Sequence, residues 1–267
     1  MAVIQKSEPV GNTATVEPSD KRWLPALDWP VTVPPGTRSG YGHVLASTTD
    51  LLSPLRLELT SDRVFSNASL GELESRANLQ LAMPPTPRVK ALVTQWQSLA
   101  SDRVEVVRRA LGYFQSEPFY YSLSPPFLGG RPVDEFMFDT REGYCEHYAS
   151  AFTTLMRVAG IPARMVVGYM GGEVNDVFGY VVVRQSDAHA WSEVWPPASG
   201  CTRVAPTAAI PPERTRYGND LSRPDDALGW SIRRDPVHLL FVFSTLRLRV
   251  PPPPCGHPSV SSRDVPA

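Results

Sequence analysis

The chain has 267 residues, with 26 Lys and Arg against 27 Asp and Glu and a hydrophobic fraction of 42%. A net charge of −1 gives no electrostatic case for nucleic acid or an anionic membrane as partner, and the length suffices for one main core with a smaller second unit. Three cysteines, Cys145, Cys201 and Cys255, do not make a disulfide framework, and the odd count fits one reactive thiol better.

Residues 1–20 are polar and lack the apolar stretch of a secretory signal. No run reaches the roughly 18 apolar residues of a spanning helix. The nearest, Val237 to Leu246, is short and followed by Arg247 and Arg249. Residues 1–83 read as a small β-rich unit, with strands at Val3-Ile4, 13–16 and 55–60 and with Trp23, Leu24 and Leu27 as core anchors. Met83-Pro84-Pro85-Thr86-Pro87 is a hinge-like break before the first helix.

Two helices are expected next. Residues 88–98 carry Val89, Leu92, Val93 and Trp96 at helical spacing. Residues 102–115 carry Val104, Val107, Leu111 and Phe114, opened by Asp102 and Glu105 as a capping box. Both stripes read as core. A short extended segment at 120–123 and a proline-rich turn follow.

The most informative stretch comes after that turn. Cys145 directly follows Gly143-Tyr144 and opens a helix with Phe152, Leu155, Met156 and Ala159 on its apolar face. Gly160 and Pro162 stop the helix. In a first helical turn, unpaired N–H groups and the positive dipole end favour a thiolate and can hold an oxyanion. The Cys145 thiol is therefore expected to ionise below the ordinary value of about 8.5. Glu146 reads as a dipole-compatible charge, Tyr144 as a groove residue, and His147 as packing or a helix-surface bond before any role in tuning the thiolate.

Strands are expected at 164–169, 180–184, 189–195 and 202–204, so helices precede a run of antiparallel strands in an α+β arrangement. Residues 184–195 alternate, with Asp187, His189, Trp191, Glu193 and Trp195 on one face and Ala190 and Val194 on the other. A histidine held between polar and aromatic neighbours suits a base of fixed orientation. Trp191 reads as support or groove wall. A metal site finds little support: Cys145 and His147 diverge by about 200° on a helix, and no second Cys or His pair has zinc-site spacing. No metal or other cofactor is expected.

The stretches 138–152, 156–164, 167–169 and 186–195 resemble the transglutaminase-like superfamily, and most of all its bacterial membrane-anchored members, over about residues 88–216. The resemblance implies a papain-like core of helices packed on an antiparallel sheet, preceded here by the β-rich unit. It implies Cys145 as nucleophile and His189 as base, in acyl transfer of the protein-glutamine γ-glutamyltransferase type through a thioester. The partners implied are a protein or peptide amide donor and an amine acceptor. Members are usually membrane-anchored with this domain on the extracytoplasmic face of a bacterial membrane, so this chain is expected to be a soluble part. A cysteine peptidase or amidase, and a binding module without turnover, are the rival readings on the same scaffold.

One family feature is missing. A Gly-Trp turn and Asp-Pro-Thr are expected after the histidine strand, but the chain reads Gly200-Cys201 and then Ala205-Pro206-Thr207. Ala205 stands where the resemblance places the third, acidic residue, which implies impaired turnover. Asp187 is the candidate substitute acid, although Asp187 and Glu193 more simply bond to backbone or to nearby arginines. The chain is thus divided into a β-rich unit at 1–83, a catalytic core at 88–217 and an irregular tail at 218–267, with a polyproline-like run at 251–254.

Overall fold

The computed structural model describes residues 9–19, 21–40, 42, 44–62, 70–196, 200–216, 238–240 and 246–249. The expected strand at Val3-Ile4 and most of the 218–267 tail, Cys255 included, lie outside them.

The first part of the chain is built from strands β1 (Val10–Val16), β2 (Trp23–Leu24), β3 (Ala26–Leu27), β4 (Trp29–Pro30), β5 (Thr37–Ser39), β6 (Leu45–Ser47) and β7 (Leu55–Asp62). Helices α1 (Glu72–Ala77), α2 (Pro87–Leu99) and α3 (Arg103–Ser116) follow, then β8 (Tyr120–Ser122), α4 (Pro132–Glu135) and β9 (Glu142–Gly143). The long helix α5 (Cys145–Val158) leads into β10 (Ala163–Met170), β11 (Glu173–Asn175), β12 (Tyr180–Val183), β13 (Ala188–Val194) and β14 (Thr202–Val204). Strands β15 (Thr215–Arg216), β16 (His238–Leu240) and β17 (Leu246–Arg249) complete the set, so two segments of the stretch read as an irregular tail are strands.

The helices form one side of the main core. Val89, Val93 and Trp96 of α2 and Val106, Val107, Ala110 and Phe114 of α3 pack with Phe152, Leu155 and Met156 of α5. Val194 and Val204 meet them from the sheet. Each large side chain so buried stabilises the fold by about 1.5–3 kcal/mol. The expected α3 stripe is rotated: Val106 and Ala110 are buried, while Val104 and Leu111 are only partly so. Both registers are apolar at helical spacing, and packing against α2 and α5 selects between them.

Caps show similar differences. The Asp102 carboxylate accepts from the Glu105 N–H at 2.8 Å, but the Glu105 side chain pairs with Arg108 and Arg109, so only half of the box forms. The segment expected to be a hinge is instead an anchored helix start. Thr86 caps α2 through the Val89 N–H at 3.2 Å and also donates to Asp134, while Arg88 bridges Asp134 and Asp139. Burial pushes the Asp134 carboxyl up, and the bonds from Arg88 and Thr86 more than offset it, holding it below the usual carboxylate range.

The β-rich part does not stand apart. Ala14, Val16, Leu24, Leu27, Leu45, Leu57 and Leu59 share a core with Tyr169 of β10 and Val183 of β12. Leu24 and Leu27 are the expected anchors, but Trp23 is 46% exposed, because adjacent strand residues point to opposite faces. Two sheets matter for the candidate site. One runs β14-β13-β10-β16-β3, and the other is the small β15-β8-β9 sheet, paired in parallel.

Candidate active site

Cys145 is the first residue of α5, with Tyr144 as the extended N-cap. The chain reaches it through a tight approach. A Cβ at Gly143 would lie 2.6 Å from the His147 Cβ and 2.9 Å from the Phe136 ring, so only glycine fits there. Before it, Phe136–Thr140 forms a π-helical turn closed by Arg141 at φ 52°, features that periodicity does not announce.

His147 serves this helix start. Its Nδ1 accepts the Tyr144 N–H at 3.3 Å, satisfying a backbone donor at the entry to the helix. The Tyr144 ring meets it edge-on at 4.4 Å. Burial holds the imidazole below its usual pKa, with the Glu146 charge acting in the opposite direction. The bland expectation for His147 therefore holds.

Cys145 is only 9% exposed and sits with Ala149, Ala190, Tyr121, Tyr144 and Val167. The backbone of Ala190 and of Glu146 and the Tyr121 hydroxyl are placed to hydrogen-bond with the sulfur and act to lower its pKa. The expectation of a lowered thiol pKa is corrected here. Burial pushes the thiol above its ordinary value and the Glu146 carboxylate adds to that, outweighing the three hydrogen bonds. The sequence correctly indicates the helix start, but not the low-dielectric pocket around the sulfur.

Tyr121 is the residue that sequence reading missed. It lies in β8, paired with Gly143 of β9, two residues before the cysteine. Its ring stacks on Tyr148 of α5 at 6.4 Å and 20°. Arg214 fixes the lead into β8 by donating to the carbonyls of Gln115 and Glu117 at 2.9 and 2.6 Å. The available signal is the aromatic pair Tyr120-Tyr121 in an extended segment upstream of the Gly143–Cys145 turn.

His189 lies in β13, directly across from Gly168 of β10, and is buried. Ser192 faces α5, where its hydroxyl donates to the Ala149 carbonyl at 3.1 Å and bonds to Thr153 at 2.9 Å. By strand alternation His189, Trp191 and Glu193 form the opposite set. Trp191 lies under Arg203 at 5.4 Å, and Glu193 pairs with Arg164 at 2.7 Å. Strand β14 pairs with β13 only from Val194↔Thr202 to Ser192↔Val204. Beyond that point no described strand pairs with this edge of β13, and there the Ala190 N–H faces the Cys145 sulfur. The start of α5 therefore docks on the residue next to His189.

Ala205 follows β14 with extended backbone, φ −100° and ψ 96°. Since 192 pairs with 204, continuing the register sets 205 opposite 191, on the face of His189. Asp187 is not part of the strand, which begins at Ala188. It closes a 3-10 turn, Gln185–Asp187, and its carboxylate accepts the Arg184 N–H at 2.7 Å. The expected alternation from residue 184 is thus interrupted, because Asp187 forms a turn with its own backbone. Cys201 is partly buried, and burial pushes its thiol up to about 12, with the Glu193 charge adding to it.

The model of the transglutaminase-like superfamily core matches residues 90–206. The protein-glutamine gamma-glutamyltransferase of Pseudomonas aeruginosa is 39% identical over 204 residues, 76% of this chain but 30% of that protein. The uncharacterized protein YebA of Bacillus subtilis is 35% identical over 134 residues, 47% of this chain and 18% of its own length. The chain thus spans less than a third of either curated relative. The crystal structure of the periplasmic domain of TgpA from Pseudomonas aeruginosa superposes with a TM-score of 0.71 at 38% identity, covering 77% of this chain and 72% of that one. No described helix is long and apolar enough to cross a membrane. With its mixed helices and antiparallel sheets and its match to this periplasmic domain, the chain belongs to the transglutaminase-like superfamily.

Proposed function

We propose that the chain catalyses acyl transfer through a thioester on Cys145, with His189 as base. The observation that carries this reading is the docking of the Cys145 sulfur at the start of α5 on the N–H of Ala190, next to His189. Because burial holds the thiol neutral, a base is needed to make the nucleophile. His189 takes the thiol proton as sulfur attacks a carboxamide carbon. The carbonyl oxygen becomes an oxyanion, which the Glu146 and Ala190 N–H groups and the Tyr121 hydroxyl are near enough to the sulfur to stabilise. His189 returns the proton to the departing amine, leaving the thioester. It then takes a proton from the acceptor, an amine for a crosslink or water for hydrolysis, and the thiol is regenerated.

Ala205 marks the weakness of the site. An acid on that face would orient the imidazole and stabilise its charged form. In the serine-protease template, losing that residue costs about 10^4-fold in rate. Asp187 is a poor substitute, since its carboxylate serves the Arg184 N–H. The same observation favours a second reading, a binding module that keeps the groove with little turnover. The donor is a protein or peptide glutamine and the acceptor a primary amine, by analogy with the glutamyltransferase relative. The extracytoplasmic face of a bacterial membrane is the location this analogy supports, given the periplasmic relative. Incorporation of fluorescent cadaverine into a glutamine-rich protein, beside casein hydrolysis, separates transfer from proteolysis. Incorporation above a Cys145→Ala blank supports the reading, whereas casein cleavage alone favours a peptidase and neither activity favours the binding module.

A further inference from the structure

The face of β13 that carries His189 is finished by the N-terminal strands. Asp28, between β3 and β4, sends its carboxylate to the Arg203 guanidinium of β14 at 2.7 Å, bridging 175 positions of chain. Arg203 lies 5.4 Å over the Trp191 ring and 3.7 Å from Glu193. Glu193 in turn binds Arg164 of β10 at 2.7 Å, and Arg164 lies 5.1 Å over Trp195. The group holds two carboxylates and two guanidinium groups, so its charges balance. Asp28, Trp191 and Glu193 are all buried. Asp28 is also one of two described non-glycine residues with positive φ, 39°, a conformation held by its surroundings. Gly42 closes over the same group: a Cβ there would lie 2.7 Å from the Arg164 Nη1.

We propose that Asp28 is a positioning residue for His189, acting by fixing Arg203 against Trp191 and Glu193, the two residues that share the strand face of the imidazole. The inference rests on the Cys145–His189 reading above. With Ala205 at the third position, this network flanks the histidine on its own strand face, and it reaches back into the β-rich segment. Without the Asp28 charge, two arginines share the Glu193 carboxylate, and the face of β13 must relax. A displacement of about 1 Å at a reacting group costs on the order of 100-fold.

The test is the rate at which iodoacetamide alkylates Cys145 in the full chain, followed against pH beside a thermal melt. Cys201→Ser and Cys255→Ser are present throughout. His189→Ala is expected to slow alkylation at pH 7 about 10-fold, with the rates converging at high pH, where the thiol ionises unaided. Asp28→Asn is expected to reproduce that profile in part, slowing the reaction about 3- to 10-fold at pH 7 in a protein that is still folded. Should Asp28→Asn not fold, Asp28→Glu, which keeps the charge but displaces the carboxylate by one methylene, carries the test with the same expected direction. A parental profile in the folded Asp28 variant, with His189→Ala slowed, overturns the positioning role alone. A parental profile in His189→Ala overturns the Cys145–His189 pairing and this inference with it.

Discussion

The two sides of the candidate site are built by different means. The cysteine side is local: Gly143, Tyr144, Cys145 and His147 lie within one turn, and the helix start, its cap and its close approach follow from neighbouring residues. The histidine side is assembled over long distances, with β13 held by β10, β14 and an aspartate from the first strands. The long-range side has Ala205 just after β14 and carries a balanced charge network. A helix start can thus be set by a short segment, while the strand beside it depends on much of the chain.

The largest expected effect lies on the histidine side. Ala205→Asp is expected to raise amine incorporation by up to about 10^4-fold, as orientation and charge stabilisation of a catalytic histidine are worth in the serine-protease template. Unchanged turnover in a clearly active parent would move the third function elsewhere, with Asp187→Asn the next variant.

The charge network provides the next test. Glu193→Ala leaves Arg164 without its carboxylate and is expected to cost about 3–5 kcal/mol, measured by urea denaturation. A loss below about 1 kcal/mol, the level of an exposed pair, would show that the network does not hold the histidine side. On the cysteine side, Tyr121→Phe removes one hydroxyl from the sulfur and is expected to slow acylation about 10-fold, in line with about 1.5–3 kcal/mol for a hydrogen bond to a charged group. It should also move the alkylation midpoint of Cys145 further above that of a free thiol, since that bond lowers the thiol pKa. An unmoved midpoint would remove Tyr121 from the site.

The smallest effect concerns His147. Burial lowers its folded pKa below the unfolded value of about 6.5. As pH falls through that value the unfolded chain takes up the proton first, so the His147 contribution to stability is present above about pH 6.5 and declines below it. Denaturation of the parent and of His147→Gln at pH 5 and pH 7 should show the steeper acid loss in the parent. Equal slopes would contradict a buried neutral imidazole.

Much of the cysteine side was legible in the sequence. The α5 face of Phe152, Leu155, Met156 and Ala159 is buried as its spacing indicates, and the strand expected at 202–204 is found there. Glu193 and Asp187 bond to an arginine and to backbone, as the simpler reading had it. What escaped depends on pairing between distant segments. Tyr121 reaches the sulfur through the parallel β8–β9 ladder, and Asp28 reaches Arg203 across the sheet. The thiol pKa was misjudged for a related reason. A helix terminus is visible in a sequence, but the apolar enclosure by Val167, Ala190 and Tyr121 comes from three other strands.

The most direct test of the central claim is amine incorporation by three proteins side by side: the parent chain, Ala205→Asp and the Cys145→Ala blank. Incorporation that rises from blank to parent to Ala205→Asp is the result expected of a Cys145–His189 acyltransferase with a missing acid. Three equal rates would contradict it.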